Sequence, residues 1–287
     1  MTATIPNPAS GNLIELPLPP GVERRVISTS RGPVTALRAR PADMAGTRST
    51  AVMASGFFGT KEDFREVLPL LAAEGYDSWA YDYPGQLGLE NNDFTIATMA
   101  AHLSEIVRAV GGDRPVHVVG HCLGGFVARE SVLAQPGLTR TLTLLACGPS
   151  MCEPKHRRML SGLAGLHKNG GTIALWPLVR RLLAEDDHVM REFWHTKLAT
   201  MNPRFILDAA TSMAEESDRS AELIANGIRS LVVHGKRDKR LWSAGEYANM
   251  AHALGADLVI IEKASHSPNM EQPERTASAL LKFWATA

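Results

Sequence analysis

The chain has 287 residues, of which 45% are hydrophobic and 21% charged, enough for a sizeable core and too apolar for a disordered polymer. Its 30 basic and 30 acidic residues leave a formal net charge of +0, so charge gives no reason to expect nucleic acid or an anionic membrane as a partner. Three cysteines, Cys122, Cys147 and Cys152, are too few for a disulfide framework and lack C-x-x-C pairing, which points to a reducing compartment and to no zinc site.

The leader, Met1 to Gly11, is small, polar and proline-bearing, without the apolar stretch of a signal peptide or anchor. No later apolar run approaches the roughly 20 residues of a membrane span, and the expected location is cytoplasmic. Glu23 to Ser30 and Pro33 to Arg40 alternate apolar and polar residues around Arg31-Gly32, the pattern of a β-hairpin. Thr47 to Ala54 reads as a strand running into Ser55-Gly56-Phe57-Phe58-Gly59. Glu62 to Glu74 has helical periodicity, and Asp77 to Tyr83 reads as the next strand, closed by Pro84-Gly85. A loop with Gln86-Leu87-Gly88 leads to a helix over Thr95 to Val110, ended by Gly111-Gly112.

The centre of the chain is Val116-His117-Val118-Val119-Gly120-His121-Cys122-Leu123-Gly124-Gly125. Its apolar, β-branched start suits a strand covered on both faces, and the flanking glycines permit a sharp turn into a helix near Leu123. Cys122 then stands at the tip of the turn, above the positive end of that helix, where negative charge is favoured. That is a nucleophile's position.

Beyond it, Thr139 to Cys147 reads as a strand ended by Gly148-Pro149. The β/α alternation then stops, and Ser150 to Asn226 is helical in pattern. It resumes with the strand Ser230 to His234, a helix over Ser243 to Leu254, the strand Asp257 to Glu262 and a helix over Gln272 to Trp284. The expected organisation is an α/β core over 1–148 and 227–287, interrupted by a helical cap over 149–226.

The G-x-C-x-G pattern resembles the nucleophile elbow of the α/β-hydrolase superfamily, with cysteine where most members have serine. The resemblance implies a mostly parallel twisted sheet with helices on both faces and a cap over the site. Ligands in such sheets bind beyond the carboxyl ends of the strands. Of the ten histidines, His266 follows the last expected strand, in Lys263-Ala264-Ser265-His266-Ser267-Pro268, which looks like the superfamily's histidine loop and makes His266 the expected general base. Gly235-Lys236-Arg237-Asp238 resembles the acid loop, and Asp238 completes the order nucleophile, acid, histidine. Leu123 and Phe57 are the expected backbone donors of an oxyanion hole, although Ser55-Gly56-Phe57 departs from the superfamily's His-Gly-x. Asp82-Tyr83-Pro84-Gly85-Gln86-Leu87-Gly88 is similar to a structural turn of the same superfamily.

Ser55, Phe58, Trp176 and Trp194 are the candidates for substrate contact, while His121, Cys147 and Cys152 read as packed rather than chemical. A Cys-His-Asp triad implies an enzyme acting on an ester or thioester of a small metabolic intermediate, by hydrolysis or acyl transfer, as in natural-product biosynthesis. Its substrate would be a small acyl compound, free or bound to a carrier protein. A lyase eliminating an acyloxy group such as acetate from a polyketide-type intermediate uses the same base and anion site. A ligand-binding protein on a hydrolase scaffold is the third reading. No motif indicates a metal, nucleotide or flavin, and no cofactor is expected.

Overall fold

The protein is described here by a computed structural model that covers residues 15–87, 93–180 and 188–287. The leader Met1 to Gly11 and Gly88 lie outside the described residues. Eight strands form one sheet: β1 (Val22–Thr29), β2 (Gly32–Ala39), β3 (Ser49–Ala54), β4 (Tyr76–Tyr81), β5 (Val116–His121), β6 (Thr139–Leu145), β7 (Arg229–Gly235) and β8 (Asp257–Ile261). Their spatial order is β1-β2-β4-β3-β5-β6-β7-β8. The hairpin β1–β2 and the β2–β4 pair are antiparallel, and from β4 to β8 every pairing is parallel.

Central strands β3, β4 and β5 are buried at every residue, as strands covered on both faces must be. On one face lie α2 (Ile96–Gly111), α3 (Leu123–Ala134) and α9 (Ala244–Leu254), whose Leu103, Phe126 and Tyr247 join the larger apolar core. On the other lie α1 (Val67–Ala73) and α11 (Pro273–Trp284), which contribute Leu68, Leu71, Leu280 and Phe283 to a second core. Helix starts follow their caps: the Thr95 side chain accepts from Thr98 N–H, and Ser243 with Glu246 forms a capping box. This is the α/β-hydrolase fold expected from the sequence.

The helix expected over Glu62 to Glu74 divides into a 3-10 turn, Lys61–Phe64, and α1. All four residues of the turn are buried, with Lys61 Nζ bonded to Asp82 at 2.6 Å and paired with Glu62 at 2.9 Å. Charges facing inward give this turn no solvent face, so an amphipathic helix cannot include it.

Between β6 and β7 the chain forms α4 (Pro154–Gly170), α5 (Trp176–Val179), α6 (His188–Thr200), α7 (Pro203–Met213) and α8 (Ser220–Ala225). Val179, Phe193, Trp194 and Leu198 gather with Leu16 into a third apolar cluster, which packs against Phe58. Asn202 N–H donates to Gln86 O at 2.8 Å, tying this helical segment to the loop after β4.

Candidate active site

The turn from β5 into α3 holds Cys122 at φ 51°, ψ −113°, a conformation that costs a side-chain-bearing residue about 1–3 kcal/mol. The Cys122 N–H donates to Leu145 O at 2.9 Å, which ties the turn to β6. Close packing explains the glycines around it. A Cβ at Gly120 would stand 2.2 Å from Gly124 O, one at Gly124 2.3 Å from Ala54 O, and one at Gly125 2.5 Å from Cys147 Sγ. The strain therefore sits on Cys122, and the glycines let strand and helix close against each other. Leu123 begins the helix with its side chain wholly in the core, so its N–H is what it can offer a ligand.

His266 lies in the loop after β8, before α10 (Pro268–Glu271). The N–H groups of its neighbours Ser265 and Ser267 both donate to the Glu271 carboxylate, at 2.8 and 3.1 Å. The His266 carbonyl accepts from His121 Nε2–H at 2.8 Å. Burial and the nearby His266 bring His121 down to about 4, so it is neutral at pH 7 and holds the loop as a hydrogen-bond donor. The acid loop is locked to the histidine loop as well: Arg237 N–H donates to Ala264 O at 2.9 Å, and a Cβ at Gly235 would stand 2.0 Å from Ser265 O.

These two loops bring His266 Nδ1 to 2.8 Å from Asp238 Oδ2. The same oxygen accepts from Tyr247 O–H at 3.1 Å, and Oδ1 accepts from Arg240 N–H at 3.2 Å. Burial alone would raise Asp238; the hydrogen bond and charge of His266, helped by the other two donors, hold it below the ordinary carboxylate value. Burial would likewise lower His266. Facing groups outweigh it, since charge and hydrogen bonding from Cys122 on one side and Asp238 on the other push His266 up to about 10.

Cys122 and His266 open onto a cavity of about 290 Å³, walled by Phe57, Phe58, Met159, Leu160, Val179, Trp194 and other apolar groups. Asp63, Arg240 and Ser267 are among its polar lining. Phe57 and Phe58 meet edge to face at 4.9 Å. Their loop is braced from below by the turn after β4, where Tyr83 O–H donates to Ser55 O at 2.9 Å and Gln86 Nε2 to Gly59 O at 2.7 Å.

Two of the expected substrate contacts fall outside the cavity lining. Ser55 is 1% exposed, tucked beside Gly59 where its short side chain is sealed in the loop. Trp176 stands perpendicular to the His195 ring, with centroids 5.2 Å apart, and packs on the third apolar cluster. Three further residues join the site. Tyr247 and Asp63 carry no motif, and His121, read as merely packed, bonds to the histidine loop.

A strand–turn–helix elbow at the carboxyl end of a parallel sheet, facing a histidine loop braced by an acid loop, defines a hydrolase-type scaffold. The family comparison agrees: residues 51–279 match the alpha/beta hydrolase family, and the chain belongs to it. It is 23% identical over 258 residues to the monoacylglycerol lipase abhd6-A of Xenopus laevis, covering 83% of this chain and 76% of that one. It is 27% identical over 260 residues to the dihydrolipoyllysine-residue acetyltransferase component of the acetoin cleaving system of Cupriavidus necator, covering 87% and 67%. Among solved structures, a thermophilic esterase from Thermogutta terrifontis superposes with a TM-score of 0.74 at 21% identity, over 92% of this chain and 98% of that one. Among the described residues no helix is long and apolar enough to cross a membrane.

Proposed function

We propose that this hydrolase cleaves an ester or thioester of a small, largely apolar acyl compound, with Cys122 as nucleophile, His266 as acid–base and Asp238 as its orienting carboxylate. The observation that carries this reading is His266 held at 2.8 Å by Asp238 while it shares the cavity with Cys122. The Cys122 thiolate attacks the acyl carbon and forms the S–C bond. The resulting oxyanion takes N–H donors from Leu123 and Phe57, and imidazolium His266 gives its proton to the leaving oxygen or sulfur as that bond breaks. Neutral His266 then removes a proton from water, whose oxygen attacks the thioester and releases the acid and the thiolate.

The helices α4 to α8 act in this reading as a cap, with Trp194, Leu160 and Val179 roofing the cavity and keeping bulk water from the acyl-enzyme. A cavity walled mainly by apolar side chains favours a short acyl chain over a highly charged substrate. The test is hydrolysis of a series of short-chain esters and thioesters in 18O-labelled water. Label in the released acid supports acyl cleavage. An unsaturated product without label would replace it with elimination.

A further inference from the structure

The sheet has two edges, and they are finished differently. β1, at one end, carries Glu23, Arg24 and Arg25, and charges along an edge discourage another strand from adding to it. β8, at the other end, is Asp257-Leu258-Val259-Ile260-Ile261, with four apolar residues and no Pro or Lys. Among the described residues no strand pairs with its outer side, and Ile260 is 47% exposed. Beside this edge, between β8 and α11, runs a groove of about 640 Å³ lined by Val259, Ala279, Phe283, Glu274, Ser278 and Lys282. An apolar edge without guarding charges is a site for strand addition.

The pattern of charge says which strand fits. Antiparallel pairing of β8 with a second β8, about a two-fold axis at Val259, sets Leu258 against Ile260 of the other copy and Val259 against itself. The two Asp257 side chains then fall at opposite ends of the ladder, where they do not repel. α11 repeats the symmetry. The Arg229 guanidinium binds Thr286 Oγ1 at 2.8 Å, which places the end of α11 at the level of Arg229 on β7. Eight residues of helix back from Thr286 cover about 12 Å, and four residues of strand from Arg229 to Val233 about 13 Å, so Ser278 comes level with Val259, the β8 neighbour of Val233. Glu274 and Lys282 lie four residues to either side of Ser278, all three are exposed, and neither charge is in an ion pair among the described residues. The same two-fold axis therefore brings Glu274 of each copy to Lys282 of the other, with the small Ser278 at the centre and Arg275 opposite the uncharged Leu281.

We infer that the outer edge of β8 and the exposed stripe of α11 form a self-complementary interface through which two copies of this chain associate, joining their sheets into one. The groove receives the second copy. Val259 and Ile261 belong to the α11 face of β8, so in the added strand the same two side chains extend that face beside Ala279 and Phe283. A strand from an unrelated protein could use the backbone edge alone. Opposite charges at equal distances from Ser278 are matched by a second α11 running the other way, and that is what selects a copy of this chain.

The experiment is analytical ultracentrifugation of the full chain over a concentration series, with circular dichroism to check that each variant is folded. Wild-type protein is expected to form a reversible dimer. Ile260→Lys places a charge at an exposed position of the edge and is expected to leave only monomer. Glu274→Lys and Lys282→Glu each set like charges against each other twice across the axis, and each is expected to raise the dissociation constant about tenfold or more. Both reversals in one chain exchange the signs of the pair and are expected to return the dissociation constant to near the wild-type value, a recovery that a merely damaged helix would not show. A wild-type protein that stays monomeric at every concentration would overturn the interface. So would a dimer that survives Ile260→Lys or both single reversals, or one that the double reversal fails to restore.

Discussion

Two polar clusters border the same cavity, and they are completed to different degrees. Around Asp238 both carboxylate oxygens are occupied, by His266 and Tyr247 on one and by Arg240 N–H on the other, and the histidine loop is fixed through Glu271 and His121. The Lys197 ammonium has its nearest opposite charge 3.9 Å away and makes no hydrogen bond. The first cluster is preorganised: its dipoles already point where charge must develop, so reaction requires little rearrangement. The second is held by burial and by the Trp194 ring, whose centre lies 3.2 Å from the Lys197 ammonium.

The contrast can be broken at its strongest point first. Cys122→Ala should reduce ester or thioester hydrolysis by about a thousandfold or more while circular dichroism and the melting temperature stay near the wild-type values. Next, Asp63→Asn alone should destabilise the protein by about 3 kcal/mol in urea unfolding, because it leaves the Lys197 ammonium buried without its nearest counter-charge. Adding Lys197→Met should restore most of that loss. If the single and double variants unfold alike, the two side chains are not energetically coupled.

A smaller effect is expected at Tyr247, whose hydroxyl stabilises ionised Asp238. Tyr247→Phe should lower kcat/KM by about tenfold with KM little changed, as removal of one hydrogen bond to a charged group predicts. The weakest test concerns pH. His266 is raised to about 10, above its unfolded value of about 6.5. Its contribution to stability is therefore complete below about pH 6.5 and is lost as the pH rises through about 10. Hydrolysis should fall over the same alkaline limb, as the imidazolium that protonates the leaving group disappears. A limb absent in His266→Ala melting curves but present in the wild type assigns it to this residue.

The two clusters also differ in how legible they were. The elbow, acid loop and histidine loop each occupy a short stretch of chain at the end of a strand, so β/α alternation and a few fixed residue types locate them. Even there, the glycine pattern needed the packing of α3 on β3 and β6 to explain it, and the strain proved to lie on Cys122. Asp63 and Lys197 come from distant parts of the chain, a buried turn after β3 and a helix between β6 and β7, and only tertiary structure brings them together. Asp63 lay in a stretch with helical periodicity that folds as a 3-10 turn because its charges face inward. Ser55 and Trp176 show the same limit in reverse: their types suited substrate contact, but sealing by Gly59 and packing beside His195 take them away from the cavity.

The central claim, that Cys122 forms a covalent acyl-enzyme, is tested most directly by intact-mass spectrometry of the protein quenched in acid during turnover of a short-chain thioester. The account predicts a mass increase equal to one acyl group less a proton, mapped to the peptide that carries Cys122, absent in Cys122→Ala and accumulating in His266→Ala only slowly. Steady turnover with unmodified protein at every quench time, retained in Cys122→Ala, would contradict it.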